Sequence, residues 1–490
     1  MKRALFSSIL VLLTILATQA QDAYTALKYS RHFYGGTARF VGMGGAFGAL
    51  GADMSAVTVN PAGLGVYRGS EFSFTPGFRT NETSSEYFGN TMSDEAYDIN
   101  FNSLGFAISY EPENASSRWK SVNLGVTYNR LADFNQNIYG QAINRDNTIM
   151  DYFVNNANAG IYDNAYEGLA EEAYALRYDD VADEYWSQLT DIRNRAPEAF
   201  AIDQSKIIQT HGGIDEFAFS VAGNFADKLY LGATLGIIAF DYKEQQSLSE
   251  QNESDTIFDY FDYELYSLKF EENLRTSGAG FQLKLGAIYK PVSFLRLGAS
   301  IHLPTFYDLE DNYYTRFSSN DAYDSYSLES SDFIYDYKLK TPLKLVGSVA
   351  FQIPKIATIS VDYERLNYSN MRFEQGSDDY TYNYENEDIK NLYKPVNNLR
   401  IGAEYKYTIF YLRGGYAYYG SPWKSGHINS GSSRTVYSGG LGLRLESFFI
   451  DFAATYSEYD ESVYLYLDND TPLNNSSIYN RYLLTIGFRL

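Results

Sequence analysis

The sequence predicts an all-β fold: a 14-stranded antiparallel transmembrane β-barrel with an N-terminal hatch, or plug, in its lumen. Three observations predict it. Between Glu71 and Leu490, fourteen segments alternate apolar with polar side chains, as strands do when one face meets lipid and the other a wet lumen. Their connections alternate in length, short near 112–120, 226–228, 290–293, 354–356, 408 and 446–447, and long over 79–101, 135–215, 243–277, 304–342, 369–397, 420–435 and 460–478. Ahead of them, residues 36–67 are small, apolar and glycine-dense, unlike the tyrosine-rich chain that follows.

Composition agrees with this class. The chain has 490 residues, no cysteine, 47 tyrosines and a formal net charge of −22. After residue 20 no run of 18 apolar residues occurs, so no helical membrane span is expected. Aromatic residues make up 17% of the chain, which suits the girdles at the two rims of a membrane barrel. Zero cysteine argues against a disulfide scaffold, and the acidic balance against nucleic-acid binding. Residues 1–20 read as a secretory signal peptide, with Lys2 and Arg3 as the basic start, 4–17 as the apolar core and Thr18-Gln19-Ala20 as the cleavage site. The rest divides into a hatch, 21–69, and a barrel with long extracellular loops, 70–490. A soluble propeller or sandwich is the competing all-β class, but a propeller would not segregate its short and long connections.

The hatch comes first. Tyr24, Leu27, Tyr29 and Phe33 supply apolar contacts to the lumen ahead of it. Gly36, Gly42, Gly44, Gly45, Gly48 and Gly51 let a backbone run close to other backbone. Asn60-Pro61-Ala62-Gly63 ends the segment in a turn, since Pro61 fixes φ and lacks a donor. A dinucleotide fingerprint is excluded, because the third glycine position holds Phe47, and no GxxxxGK[ST] loop occurs.

The strands follow at 71–78, 102–111, 121–134, 216–225, 229–242, 278–289, 294–303, 343–353, 357–368, 398–407, 409–419, 436–445, 448–459 and 479–490. One face of the second carries Leu104, Phe106, Ile108 and Tyr110, and one face of the third Val122, Leu124, Val126 and Tyr128. In the last, Tyr482, Leu484, Ile486, Phe488 and Leu490 oppose Arg481, Thr485, Gly487 and Arg489. Fourteen is even, as single-chain bacterial barrels require, and six turns with seven loops put both termini on the periplasmic side.

The stretch GMGGAFGALGADMSAVTVNPAGL resembles the N-terminal signature of the outer-membrane FadL/TodX family of hydrophobic-compound and long-chain fatty acid transporters. Gly42, Gly44 and Gly45 with Asn60, Pro61 and Ala62 match its hatch motif, and residues 276–304 resemble its central hairpin. The last strand resembles the signal read by the outer-membrane barrel assembly machinery. The resemblance implies capture of cargo at the loops, transfer to an inner pocket, hatch rearrangement and lateral exit. The exit is a wall gap tied to a kink in an early strand, for which 121–134 is the candidate by order.

Within the loop 135–215, Tyr162, Tyr166, Leu169, Ala173 and Leu176 recur at helical steps, and Val181, Trp186, Leu189 and Ile192 continue the pattern. Tyr162, Tyr166, Leu169, Leu176 and Trp186 thus form a candidate ligand groove, or equally the underside of a lid over the barrel mouth. Strand alternation turns Arg296, Arg400, Arg413 and Arg444 into the lumen, together with Lys284, His302, Lys344, Lys406, Arg489, Glu404 and Asp451. Such cations either meet a carboxylate head group or, more commonly, pair across the barrel and hold the plug. Loop acids Asp378, Asp379, Glu385, Glu387, Asp388, Asp468 and Asp470 read as solvated surface without EF-hand spacing.

His32, His211, His302 and His427 lie in unrelated elements, and neither HExxH nor GxSxG occurs, so we expect no enzyme, no cofactor and no metal. The reading is a monomeric outer-membrane protein that passively takes up hydrophobic small molecules of the fatty-acid kind. Its expected partners are outer-membrane lipid, lipopolysaccharide and the assembly machinery, with no nucleic acid. The alternatives are a component of outer-membrane protein secretion or surface attachment, and a receptor for haem or an aromatic ligand.

Overall fold

The computed structural model describes residues 21–112, 117–254, 264–377, 379–467 and 469–490. The signal peptide, 1–20, lies outside the described residues, as do Asp378 and Asp468. The wall is a closed antiparallel barrel of 14 strands. In chain order these are β1 (Glu71–Tyr87), β2 (Asn90–Tyr110), β3 (Trp119–Asp133), β4 (Ile202–Phe225), β5 (Leu229–Asn252), β6 (Leu265–Val292), β7 (Leu295–His302), β8 (Lys344–Ile353), β9 (Ala357–Asn367), β10 (Pro395–Tyr407), β11 (Phe410–Tyr419), β12 (Arg434–Arg444), β13 (Phe448–Val463) and β14 (Leu473–Arg489). Each pairs with the next, and β14 returns to β1 from Glu71↔Arg489 to Glu86↔Asn474, so no open edge remains at the seam.

The alternation read from the sequence is the alternation of the wall. Phe72, Phe78, Leu104, Phe106, Leu235, Ile237, Tyr482 and Leu484 point outward and are exposed. Their inward neighbours, such as Ser73, Thr75, Asn123, Thr127 and Thr485, are buried in the lumen. Phe78 stacks on Tyr482 at the outer rim, with ring centroids 6.2 Å apart. Among the described residues no helix is long and apolar enough to cross a membrane.

Much of what the sequence marks as loop is strand. β1 and β2 run on into a tight hairpin whose two turn residues, Phe88 and Gly89, both have positive φ, as a type I′ turn requires. Residues 202–215, 243–252 and 265–277 likewise extend β4, β5 and β6. Gln136–Asn144 continues the line of β3, and Phe306–Asp321 rises along β6. Beyond the lipid belt both faces meet water or loops, so the apolar period fades although the backbone ladder continues.

Two apolar clusters close the external end. One gathers α3 (Ile149–Asn158), α4 (Glu167–Glu172) and α5 (Gln188–Arg195) over the upper wall, around Phe153, Leu169, Leu176 and Phe317. The other packs α1 (Ala23–Ser30) against α6 (Asn383–Leu392) and Trp423. The expected run of helix from Tyr162 to Ile192 is broken. Only α4 and α5 form, and Arg177–Asp179 pairs with Glu184–Trp186 as a small hairpin. Tyr174 adopts φ 60° after α4, and Asp179 accepts from the backbone of Val181 and Ala182, which makes the turn.

Candidate functional site

The ends of the barrel proper, Glu71 and Arg489, lie on the short-turn side as the strand count requires, but the segment ahead of them does not start there: it enters the lumen from the external end, where Gln21 bonds Asp311 at 2.7 Å and Ala23–Ser30 packs under a long loop. Asp22 caps α1, Lys28 bonds Glu244 at 2.8 Å, and the Tyr29 hydroxyl lies 2.8 Å from that of Thr276. The chain then descends to α2 (Ala38–Gly42) and two 3-10 turns, Met54–Thr58 and Pro61–Val66.

From there the hatch circles the inside of the wall and meets the strands broadly in reverse order, with Met54 crossing early to Gly105 of β2. Ala38 N–H donates to Thr485 of β14. Gly42 packs on Gly440 of β12 and Ala453 of β13, and Gly44 on Ile401 of β10 and Tyr416 of β11. Gly48 N–H donates to Asp362 of β9 at 3.0 Å. The Asn60 amide donates to Gly48 O at 2.7 Å, to Ala287 O of β6 at 3.1 Å and to Ala299 O of β7 at 3.4 Å, and its oxygen accepts from Ala62 N. Pro61 lies against Gly232 of β5, Gly65 against Gly223 of β4 and Leu64 against Gly125 of β3. Tyr67 donates to Glu71 of β1.

The hatch motif is therefore the seat itself, with Asn60 as its central staple. Gly44 has φ +63°, and a Cβ there would stand 3.0 Å from Tyr416 N, so both conformation and space call for glycine. The matching residues of the wall escaped the sequence reading. A Cβ at Gly298 would stand 2.2 Å from Gly48 O, at Gly402 2.3 Å from Met43 O, and at Gly232 2.5 Å from Pro61 O. A signal for them exists: Leu104-Gly105, Leu124-Gly125, Leu231-Gly232, Leu285-Gly286, Leu297-Gly298 and Ile401-Gly402 repeat an aliphatic–glycine pair strand after strand. The aliphatic side chain faces lipid, and the glycine makes room for the hatch, its backbone at Gly232, Gly298 and Gly402 and the side chains of Met54, Leu64 and Asn60 at Gly105, Gly125 and Gly286.

The four lumen arginines hold wall and hatch. Arg413 bonds Glu404 and Asp451, each at 2.7 Å, and Arg444 bonds Asp451 at 3.0 Å. Arg39 of the hatch makes a bidentate pair with the same Glu404, at 3.0 and 3.1 Å. Arg400 meets Glu364 at 3.0 Å and lies 3.6 Å from Asp362, and Arg296 donates to Leu50 O at 2.5 Å. Each cation is thus engaged by the protein's own acceptors.

The wall itself is incomplete at one place. β2 and β3 pair only from Ser103↔Asn129 down to Tyr110↔Val122. Above that, β2 keeps β1 as its partner while β3 and its continuation keep β4. The β3 register shifts between Arg130 and Ala132, and the line then turns inward, with Asn135 O taking a bond from Asn81 and Gln136 bonding Ser477 of β14. The break thus falls in the third strand, without a proline. At the break Arg79 reaches Asp133 at 2.5 Å and Asn100 reaches it at 3.4 Å, and higher up Asn137 donates to Glu95 O at 3.3 Å and Asn90 to Gln141 O at 2.7 Å, so side-chain bonds replace the backbone ladder across this slot. Outward, its lip carries the lipid-facing Ile99 and Phe101. Inward, Gly35 lies against it, where a Cβ would stand 2.8 Å from Arg130 O.

Between the head of the hatch and β6–β9, reached from the break by Leu131, is a cavity of about 30 Å³, room for two or three waters. Leu131 of β3, His32, Tyr34, Lys284, His302 and Lys344 line it. Lys284 is paired with Glu216 at 2.6 Å, and His302 Nε2 meets Val59 O at 2.8 Å. Burial holds the His32 imidazole far below the ordinary histidine range, at about 3, so it is neutral. The Ser30 and Thr305 hydroxyls on this cavity have no partner among the described residues. The stripe read as a groove or lid lies elsewhere, in the external cap. Leu169 and Leu176 are buried in its core, Tyr166 and Trp186 pack on that core, and Tyr162 is exposed. Among the described residues no cluster of metal ligands occurs.

An apolar outer belt, a polar lumen, an inserted hatch and a side opening define a plugged outer-membrane β-barrel. Compared by sequence, the chain matches no family model and no curated protein. Compared by structure, it resembles the toluene transporter TodX of Pseudomonas putida, with TM-score 0.52, 14% identity, and 93% of this chain and 98% of that one covered. It resembles a FadL homologue of Pseudomonas aeruginosa equally, with TM-score 0.52, 15% identity, and 93% and 99% covered. The chain has the fold of the FadL/TodX channels.

Proposed function

We propose that the chain is an outer-membrane channel that takes up hydrophobic compounds passively, with molecules of the long-chain fatty acid kind as cargo. The observation that carries this reading is the slot between β2 and β3, facing lipid outside and the head of the hatch inside. Apolar solutes gain nothing from a water-filled pore, whereas a side opening delivers them to the bilayer without crossing bulk water. The lumen cavity combines Leu131, Pro342 and Leu366 with Lys344 and two neutral histidines, a lining suited to an amphiphile with an acidic head that would draw Lys344 from Glu364, 3.8 Å away. Its growth to cargo size requires movement of His32 and Tyr34, which belong to the same segment as the hatch. The resemblance to a toluene transporter adds support for an apolar cargo.

The test uses the absence of native cysteine. Asn100→Cys with Asp133→Cys places two thiols across the slot, and a short bifunctional thiol reagent ties its lips. Uptake of a fluorescent fatty acid by whole cells should then fall to the level of cells lacking the protein. Monofunctional labelling of the same pair should leave most of it. Unchanged uptake after cross-linking would show that cargo does not leave by the slot.

A further inference from the structure

A second cavity takes no part in that route. It measures about 490 Å³ and opens on the outer face of the barrel, above the lipid belt. Strand parity fixes its direction. On β14 the even residues face out, as the exposed Tyr482, Leu484 and Phe488 show, so Asn474 and Ser476 face out as well. The same parity turns Ser84 and Glu86 of β1 and Asp460 of β13 outward, and Thr91 of β2 joins them; Glu461 and Asn475, of the opposite parity, border the cavity from the inner side.

A loop supplies the far wall. β13 pairs with β12 only as far as Arg434↔Tyr459, so its upper edge is free of a strand partner. Asn429 completes that edge with its side chain, donating to Ser462 O at 2.9 Å and accepting from Ser462 N at 2.7 Å. This holds Gly431 and Ser432 beside the four strand ends and makes the surface concave.

Height and chemistry select the occupant. From the Phe78–Tyr482 rim to Ser84 and Ser476 is six residues, roughly 20 Å along the strands and less once strand tilt is counted. That is the level of the head groups of lipids in the outer leaflet. The lining is hydroxyl, amide and carboxylate with one apolar side chain, Ile428, and no lysine or arginine among the described residues. A bare phosphate would meet only repulsion from Glu86 and Asp460, and an acyl chain would bury polar groups without partners. Paired hydroxyl donors suit the carboxylates, and ring oxygens suit the Asn and Ser donors. We infer that this groove binds the saccharide of an outer-leaflet glycolipid, which is tethered at this height and opens toward it from the side. This site goes beyond the uptake reading and does not depend on it.

The test is retention of glycolipid by the purified full-length protein, read by native mass spectrometry and by exchange against detergent. The probes are lipopolysaccharide with a complete sugar core, lipid A lacking that core, and a free soluble polysaccharide. Complete lipopolysaccharide should be retained at least tenfold longer than lipid A. The double variant Ser84→Trp, Ser476→Trp fills the groove, and the pair Glu86→Gln, Asp460→Asn removes its charged acceptors. Each should abolish that difference while gel mobility reports a folded barrel and fatty acid uptake stays at the parent level. Equal retention of lipid A and complete lipopolysaccharide would overturn the site. So would variants that retain complete lipopolysaccharide like the parent. Binding of free polysaccharide without binding of lipopolysaccharide would overturn the membrane's own glycolipid as the occupant.

Discussion

Replacing Asn60 by alanine should unseat the hatch without unfolding the barrel. The side chain caps the turn Pro61–Val66 and donates to Gly48 O and Ala287 O at 2.7 and 3.1 Å, with a weaker contact to Ala299 O. A lost N-cap costs about 1 kcal/mol, and each buried hydrogen bond about 1 kcal/mol net, so the variant loses about 3 kcal/mol of hatch seating. At 1.4 kcal/mol per decade, the displaced hatch becomes roughly a hundredfold more populated. Asn60→Asp keeps the cap acceptor but turns an oxygen toward those carbonyls, and should be at least as disruptive. Planar-bilayer recordings should show new ion conductance, and whole-cell uptake of a hydrophobic probe should fall several-fold, while the barrel keeps its heat-dependent gel shift. Parent-like conductance and uptake in both variants would refute the staple. A barrel that fails to fold would show instead that the hatch is part of the wall's own stability.

Three further outcomes follow from the geometry. Arg413→Met removes the cation shared by Glu404 and Asp451, which keep Arg39 and Arg444, so the loss is that of two charged hydrogen bonds, about 3 kcal/mol, and the midpoint of the heat-dependent gel shift should fall by a few degrees. Leu169→Asp buries a charge in the cap, so limited proteolysis should cut within 149–195 while the barrel core survives; slowed uptake of a hydrophobic probe would mark the cap as a capture groove, and parent-like uptake as a lid. Glu250 lies thirteen residues beyond the lipid-facing Ile237, where it accepts from Thr148, Ile149 N–H and Gln204, and burial pushes its carboxyl up to about 7. Because this folded value lies above the ordinary one of about 4.5, the contribution is full at pH below 4.5 and is lost as pH rises through 7, a swing of about 3 kcal/mol. The protection factors of α3, corrected for the intrinsic base-catalysed rise in exchange, should therefore be lower at pH 8 than at pH 6, and Glu250→Gln should remove that difference.

The membrane half of this fold was legible because lipid imposes one rule on every strand. Residues such as Leu124 and Phe488 must face out and Asn123 and Thr485 in, and that rule leaves its period in the sequence. The upper wall follows no such rule. Around Gln204 and Gln246 both faces are polar, so the ladder continues with no apolar period to betray it. The hatch motif was legible as a motif, whereas its mates in the wall were not, since one glycine per strand looks like noise until Gly298 and Gly402 are seen against the hatch backbone. The slot was named only to the level of a strand. It arises from a register shift at Arg130, which no residue type announces. The helical stripe misled for a local reason: Tyr174 and Asp183 take left-handed conformations, and the chain folds back as a hairpin where spacing alone extends the helix.

The circuit of the hatch also makes it a gauge of circumference. Its contacts run from Thr485 on β14 to Glu71 on β1 within thirty residues, Ala38 to Tyr67, in reverse strand order apart from Met54, which crosses to Gly105 of β2 ahead of Asn60. A wall with one hairpin more or fewer would shift every later glycine out from under the residue it receives. Loops may lengthen, and the upper wall may grow or shrink, without touching that fit. Strand number cannot. Where most barrels are free to gain or lose hairpins by duplication, this one carries inside it the template against which any such change is measured.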